Sequence, residues 1–216
     1  MKKLWIAVII MLNIAAHAEL IGHWDFDNIT DGIVRDLSGK KHDGIIHGKP
    51  EIVDGISGKA LRFKTNDDYV DFGAPLIPAK DFSISVRINC DDVEKQFFLG
   101  QYKYGDSERL DLAVRNGCAR IQIDKIIDSP KLIEPEKWYN IVFTRKSGIL
   151  KIYIDGNMVL KKELIGNVIA TEHLILGRLF VPKRDNFRFT GMIDDLKIWD
   201  SPITDIEVKE EFGNRK

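Results

Sequence analysis

Residues 138–157, WYNIVFTRKSGILKIYIDGN, show the clearest pattern in the chain, because apolar and polar side chains alternate there on both sides of a turn. Successive side chains of a strand point to opposite faces, so the alternation predicts two strands, each with an apolar and a wet face. The turn falls at Lys146-Ser147-Gly148, where glycine adopts backbone conformations that cost other residues more. A helix would not sustain a period of two across this turn, and the pattern predicts an antiparallel hairpin. The apolar face consists of Tyr139, Ile141, Phe143, Leu150, Ile152 and Ile154.

Short alternating segments recur along the rest of the chain. Asn116-Gly117, between two of them, is a strong signal for a tight hairpin turn. About a dozen short strands separated by turns, with little helix, predict an all-β fold of two packed sheets. Beyond residues 138–157, the predicted strands span residues 20–26, 60–63, 69–72, 82–89, 97–100, 109–115, 119–124, 158–160, 174–177 and 191–199.

The C-terminal segment departs from this pattern. Thr204-Asp205-Ile206-Glu207 fits a capping box, in which the first and fourth side chains each bond the other residue's main-chain amide. Val208 and Phe212 then continue a helical apolar face. The sequence therefore predicts a short C-terminal helix that lies on the sandwich.

Several motifs, in their order and spacing, resemble the LamG-like jelly-roll domain of the concanavalin A-like lectin/glucanase superfamily. The resemblance extends over nearly all of residues 19–216, and it implies a two-sheet antiparallel jelly-roll sandwich with a short C-terminal helix. It also implies lectin-like binding, although one fold hosts many activities. Besides the hairpin, the motifs are His23-Trp24-Asp25-Phe26-Asp27, Asp36-Leu37-Ser38-Gly39, Gly58-Lys59-Ala60-Leu61, Asp68-Tyr69-Val70, Phe82-Ser83-Ile84-Ser85, Leu176-Gly177-Arg178 and Gly191-Met192-Ile193-Asp194-Asp195-Leu196-Lys197-Ile198-Trp199.

Residues 1–18 have the features of a secretory signal peptide. Lys2-Lys3 give a positive start, residues 5–14 form an apolar run, and Ala16-His17-Ala18 is a small-x-small cleavage site. The run is too short to cross a bilayer as a helix, and no second long apolar stretch follows it. The sequence predicts a protein secreted to the periplasm or the cell exterior after cleavage near Ala18, with one domain over residues 19–216.

Charge narrows the class of partner. The full chain has 32 Lys and Arg residues against 33 Asp and Glu residues, and removing Lys2 and Lys3 with the signal leaves 30 against 33, a net charge of −3. The basic residues are scattered, which argues against nucleic-acid binding. The expected partner is a glycan or polysaccharide, as the resemblance implies, or a surface protein.

Two cysteines, Cys90 and Cys118, follow the signal peptide. In an oxidising compartment they could form a disulfide, because Cys90 ends a predicted strand and Cys118 follows the Asn116-Gly117 turn. Such a bridge would stabilise the fold by roughly 3–4 kcal/mol if its geometry fits. The alternative is two separate buried thiols.

A structural calcium site is predicted where the first and last strands lie side by side. Ca²⁺ takes six to eight oxygen ligands from carboxylates, carbonyls and water. The family resemblance implies a calcium ion there, with carboxylates from Asp27 and the Asp194-Asp195 pair and carbonyls from Gly39 and a neighbour. Without the metal, Asp27 would cap a turn and the two later aspartates would face solvent.

A glycan site needs an aromatic platform with polar groups around it. Arg109, Asp111 and Arg115 alternate with apolar residues, which could place them on an exposed face near the loop tyrosines Tyr102 and Tyr104. These five residues form the predicted ligand site. Ordinary solvated strand faces are the alternative.

Catalysis has little support in the sequence. The Glu-x-Asp-x-x-Glu strand of related glycosidases and the Gln-x-His strand of related alginate lyases are both absent. We therefore expect a secreted, non-catalytic module that binds glycan. An exported adhesive or structural protein that binds another protein is the second hypothesis, and a diverged glycoside hydrolase or polysaccharide lyase is the third.

Overall fold

The computed structural model describes residues 17–102, 105, 109–169, 171–181 and 187–213, and the predicted signal peptide lies almost wholly outside these residues. The first nine strands are β1 (Leu20–Trp24), β2 (Ile29–Thr30), β3 (Ile33–Val34), β4 (Gly44–His47), β5 (Glu51–Asp54), β6 (Lys59–Phe63), β7 (Tyr69–Asp71), β8 (Phe82–Cys90) and β9 (Lys95–Gln101). The remaining elements are β10 (Leu110–Arg115), β11 (Cys118–Gln122), β12 (Ile126–Lys131), β13 (Trp138–Lys146), β14 (Ile149–Ile154), β15 (Asn157–Glu163), β16 (Leu174–Leu176), β17 (Gly191–Trp199) and the helix α1 (Asp205–Gly213).

Two antiparallel sheets form a sandwich, which confirms the predicted fold. The eight-stranded sheet has the order β15-β14-β13-β8-β17-β6-β5, and β1 also pairs with β17. The nine-stranded sheet has the order β12-β11-β10-β9-β16-β7-β4-β3-β2. Distant parts of the chain therefore meet in the middle of each sheet.

No helix among the residues that the structure describes is long and apolar enough to cross a membrane.

The core lies between the inner faces of the two sheets. Trp24 is fully buried there, packs on Phe72 with ring centroids 4.2 Å apart, and donates its indole N–H to the carbonyl of His42 at 2.9 Å. Phe189 packs edge-to-face on Phe63 and Phe98 from the opposite sheets. Burial of such side chains at alternate strand positions is the main stabilising contribution to the fold.

The turns that carried the sequence prediction are present. Asn116 and Gly117 have φ values of 51° and 78°, which fit a two-residue hairpin turn. The predicted capping box is also formed, because the amide of Glu207 donates to the Thr204 hydroxyl and the amide of Thr204 donates to the Glu207 carboxylate. The sequence prediction missed β2 and β3, which have two residues each, and β4, β5 and β12, where apolar residues occur in adjacent pairs rather than at alternate positions.

Strand β17 contains a bulge at Asp194 and Asp195. The register of β17 against β8 shifts between Asp194 and Lys197, and Asp195 has a φ of 47°. The extra residue changes the phase of the strand, so that Ile193 and Leu196 both face the core. The two adjacent carboxylates consequently line one cavity on the outside of the sandwich.

Of the two alternatives for the cysteines, the structure has separate free thiols rather than a disulfide. Cys90 ends β8 in the eight-stranded sheet and is buried, which raises the pKa of its thiol. Cys118 begins β11 in the other sheet, and its Sγ lies 3.9 Å from the carbonyl oxygen of Asn116. The hairpin turn before Cys118 bonds to the carbonyls of Val93 and Glu94, in the segment after Cys90, rather than bringing the two thiols together.

Candidate functional site

A cavity of about 420 Å³ opens on the outer face of the nine-stranded sheet. Asp71 of β7 and Ile175 of β16 are directly opposite each other, and both alternate with core residues. Their side chains therefore point away from the core and form part of the cavity wall. The full lining consists of Asp71, Tyr102, Thr171, Glu172, His173, Ile175 and Phe180.

The segment that follows β16 crosses this outer face. The tip of the Leu179 side chain packs against Gly100 of β9, where a Cβ atom would lie 2.2 Å from Leu179 Cδ2. Leu179 is buried with Phe97, Ala113 and Val181 in a small apolar cluster outside the main core. Phe180, the next residue, lines the cavity.

An aromatic row extends from the cavity along the sheet. Phe180 is exposed and packs edge-to-face on Tyr69, with ring centroids 5.1 Å apart. Tyr69 in turn stacks on His47 at 4.3 Å. The guanidinium of Arg178 lies 4.4 Å from the Phe180 ring centroid, within cation–π range. The cavity therefore has an aromatic side as well as a polar one.

The polar side of the cavity centres on Asp71 and His173. Their closest approach is 3.1 Å, between His173 Nδ1 and Asp71 Oδ1. Glu172 and Thr171 add a carboxylate and a hydroxyl from the turn before β16. The cavity thus combines hydrogen-bond donors and acceptors with two aromatic rings, those of Tyr102 and Phe180.

The structure brings three of the five predicted ligand residues together. The Arg109 guanidinium lies 5.1 Å from the centroid of the Tyr102 ring, and Arg109 Nε lies 3.4 Å from Asp111 Oδ2. Arg115 lies four residues further along β10, about 13 Å from Asp111 along the strand, and it does not line the cavity. Tyr104 lies outside the described residues. Of these five residues, Tyr102 lines the cavity.

Asp111 is an unusual carboxylate. Its side chain is 4% exposed, and its Oδ1 atom has no hydrogen-bond partner in the structure. Burial raises the pKa of Asp111 to about 6, and the nearby charge of Arg109 opposes this shift only partly. A buried and poorly paired carboxylate costs stability, and such groups concentrate at functional sites.

Sequence reasoning missed Asp71, Glu172 and His173 as candidates for the site. Asp71 alternates with Val70 and Phe72 on a correctly predicted strand, so its outward orientation was available from the pattern. Glu172 and His173 lie in a turn, where alternation carries no information. Their position depends on the pairing of β16 between β7 and β9, which is a tertiary feature.

A second cavity, of about 440 Å³, lies at the predicted calcium position. It contains four aspartates from β17 and from the segment that follows β1. Among the residues that the structure describes, no group of three or more His, Cys, Asp or Glu side chains could hold a metal ion. The lining consists of His23, Asp25, Asp27, Ser57, Arg87, Asp194, Asp195 and Lys197.

The loop between β5 and β6 donates main-chain hydrogen bonds to both Asp27 and Asp194. Asp27 Oδ1 accepts a hydrogen bond from the amide of Lys59 at 2.5 Å, and Asp194 Oδ2 accepts one from the amide of Ile56 at 3.1 Å. A Cβ atom at Gly58 would lie 2.1 Å from the Asp27 carboxylate, so the loop can approach this closely only with glycine there. Burial and the neighbouring charge of Asp195 raise the pKa of Asp194 to about 7, against the hydrogen bonds from the loop amides.

Asp195 is already bound by three side chains of the protein. Its carboxylate lies 3.0 Å from His23 Nε2, 3.3 Å from Arg87 Nε and 3.4 Å from Lys197 Nζ. Burial alone would raise the pKa of Asp195, but the His23 hydrogen bond and the nearby cations lower it to about 2. Gly39 does not line the cavity. Of the four predicted ligands, Asp27 and Asp194 therefore share the loop at residues 55–59, whereas Asp195 is bound by other side chains and Gly39 lies outside the lining.

The loop that contains Gly39 is held by an internal carboxylate instead. Asp36 accepts hydrogen bonds from the amides of His23, Ser38 and His42 at 2.9–3.0 Å. Burial alone would raise the pKa of Asp36, but these bonds lower it. Asp36 thus has a structural role, because its carboxylate holds the main chain of this loop.

Comparison with solved structures finds the same fold in several binding domains. Domain 4 of AbnA, an extracellular GH43 arabinanase from Geobacillus stearothermophilus solved with arabinotriose, aligns with a TM-score of 0.74 and 20% identity over 90% of this chain and 98% of that domain. The binding domain of Paraclostridial Mosquitocidal Protein 1 aligns at 0.68 and 17% over 90% of this chain. The binding domain of botulinum neurotoxin serotype G aligns at 0.69 and 13%, also over 90%. The chain spans 52% and 50% of the two toxin binding domains.

No curated protein sequence matches the chain. A family model does match, over residues 64–209, which include both the cavity on the nine-stranded sheet and the bulged strand β17. This region covers more than half of the chain. The protein therefore belongs to the concanavalin A-like lectin/glucanases superfamily.

Proposed function

We propose that this protein is a non-catalytic binding module that takes a glycan in the cavity on the outer face of its nine-stranded sheet. The observation that carries the proposal is the pairing of Tyr102 and Phe180 with Asp71, Glu172 and His173 around one cavity. Sugar rings have apolar C–H faces and a rim of hydroxyl groups. An aromatic wall beside clustered carboxylate and imidazole groups matches both features.

The structural neighbours support a binding role. The AbnA domain was solved with an oligosaccharide, and both toxin domains are named as binding domains. At 20% identity or less this likeness establishes only the fold, so the ligand class rests on the cavity. A glycosidase would need two carboxylates placed for acid and nucleophile or base, whereas Asp71 is paired with His173.

We also propose that a structural calcium ion is held by Asp27 and Asp194. The two carboxylates are bonded to the same loop, and Asp194 is buried with a raised pKa, which indicates a carboxylate that lacks a compensating charge. Calcium would supply that charge and fix the loop at residues 55–59 against β17. Asp195 would remain paired with His23 and Arg87 rather than bind the metal.

We infer that the chain is exported and cleaved after residue 18, leaving one domain over residues 19–216. The amide of Glu19 donates to Asp200 Oδ1 at 2.9 Å, so a new amino terminus there would gain a carboxylate partner. Intact-mass measurement of protein collected from the exported fraction should give a chain that begins at Glu19. A chain retaining residues 1–18 would contradict the inference.

Glycan binding is tested at Tyr102. Titration calorimetry with a panel of neutral oligosaccharides that includes arabinotriose should give binding to the wild type. Tyr102→Ala should weaken that binding about fivefold, since loss of a ring contact costs on the order of 1 kcal/mol. Tyr102→Phe is the matched control and should bind within about threefold of wild type, because the ring is kept.

Two results would contradict the proposed site. One is the absence of binding to every member of the panel, which would favour a protein partner. The other is equal affinity of Tyr102→Ala and wild type, which would place the sugar elsewhere on the molecule. Circular dichroism of each variant separates loss of binding from loss of fold.

The buried Asp111 carboxylate should lower the stability of the folded state at neutral pH. The folded pKa of about 6 lies above the unfolded value of 3.8, so the carboxylate destabilises the fold at neutral pH by up to about 3 kcal/mol. This cost should shrink as the pH falls from about 7 to about 4. Asp111→Asn should therefore unfold at higher urea concentration than wild type at pH 7.5, with a smaller difference at pH 4.5. A lower unfolding midpoint for Asp111→Asn at pH 7.5 would mean that the carboxylate is satisfied in solution.

Calcium binding should raise the unfolding temperature. A ligand that binds only the folded state stabilises it by mass action, so thermal unfolding of wild type in calcium chloride should occur above that in chelator. Asp194→Asn should remove the difference, and the matched control Asp54→Asn, an exposed aspartate in the neighbouring strand, should retain it. Equal unfolding temperatures of wild type with calcium and with chelator would refute the metal site.

A further inference from the structure

A third cavity lies on the opposite side of the sandwich, at the edge formed by β13, β14 and β15. Thr144, Lys151 and Lys161 occupy directly opposite positions on these three strands and so share one face of the sheet. Lys146 and Ile149 form the next opposed pair on the same face. This face lies outside the core, because Val142 and Tyr153 beside it pack with Val208 of α1 in a separate cluster.

The segment before α1 closes one side of this cavity, which has a volume of about 450 Å³. Pro202 and Ile203 give the wall an apolar part, and Ile149 adds a further apolar side chain that is 39% exposed. The complete lining is Thr144, Lys146, Ile149, Lys151, Lys161, Pro202, Ile203, Thr204 and Asp205. Three of these nine residues are lysines, whereas the whole chain is close to neutral.

The lysines are not neutralised within the cavity. Lys151 lies directly opposite Lys161, and like charges in this arrangement repel. Lys151 pairs with Asp205 at 2.7 Å, and the Tyr153 hydroxyl donates to the same carboxylate oxygen at 2.6 Å. Lys146 and Lys161 form no ion pair among the described residues. Three ammonium groups against one carboxylate leave the lining with a formal charge of +2.

Two further carboxylates lie near the cavity without lining it, and one of them, that of Glu163, is on the residue directly opposite Ile149. Glu163 shares the face of Lys161, because it lies two residues further along β15, but it does not line the cavity. The carboxylate of Glu207 is bonded to the main chain of Thr204 in the capping box. The helix terminus is thus satisfied by its own cap, and recognition would depend on the lysines.

We propose that this cavity binds an acidic saccharide, with the carboxylate or sulfate group of the sugar held between Lys146 and Lys161. An oxyanion there would relieve the repulsion between Lys151 and Lys161. Ile149 and Pro202 offer an apolar surface for the C–H face of the sugar ring, which an inorganic anion would not use. The site is separate from the neutral-glycan cavity and does not depend on it.

The test compares two double variants of equal charge. Lys146→Gln/Lys161→Gln removes the two unpaired ammonium groups of the cavity. Lys131→Gln/Lys162→Gln is the matched control, because Lys162 pairs with the core residue Leu150 and points away from the cavity, and Lys131 belongs to the other sheet. The probes are trigalacturonate and a chondroitin sulfate tetrasaccharide, with arabinotriose as the neutral comparison and titration calorimetry as the measurement.

We expect at least one acidic probe to bind the wild type, and to bind the cavity variant about 5–10-fold more weakly, as loss of two partly exposed ion pairs implies. The control variant should keep its affinity, and added salt should weaken binding by screening. Tyr102→Ala should leave this binding unchanged, so failure of the neutral-glycan site can be distinguished from failure of this one. Absence of binding to both acidic probes, or equal losses in the two double variants, would overturn the proposal.

Discussion

The bulge in β17 is the constraint on which much of this molecule depends. This strand lies between β8 and β6 in the eight-stranded sheet and also pairs with β1. Its pairing with these three strands determines which of its side chains face the core. A regular strand would send Ile193 and Leu196 to opposite faces, because they are three residues apart. The extra residue at Asp194-Asp195 directs both apolar side chains into the core and leaves two carboxylates on the outside.

The two aspartates then acquire opposite electrostatic environments. Asp195 is surrounded by His23, Arg87 and Lys197, and its pKa falls to about 2. Asp194 is buried against the loop between β5 and β6, and its pKa rises to about 7. Neighbouring carboxylates whose pKa values are shifted in opposite directions often mark functional positions. Here Asp195 belongs to an internal ion-pair network, and Asp194 belongs to the candidate metal site.

The sandwich presents different chemistry on its two outer faces. The nine-stranded sheet combines an aromatic row with the mixed polar groups of Asp71, Glu172 and His173, which suits a ligand with hydroxyl groups. The far edge of the other sheet carries unpaired lysines, which suits an anion. A chain with nearly equal numbers of acidic and basic residues can therefore hold distinct sites, because fold topology rather than overall charge decides which side chains meet.

The sequence by itself determined the class of fold and most of its strands, because a period of two and glycine turns are local properties that survive any tertiary arrangement. It also determined the C-terminal helix, whose capping box involves residues three apart. The tertiary structure alone decided the sites. The loop at residues 55–59, which no sequence motif connected with Asp27, reaches its carboxylate because β5 and β6 pair beside β17. His173 and Asp71 meet only because β16 inserts next to β7, a contact between residues about a hundred positions apart that no local pattern encodes.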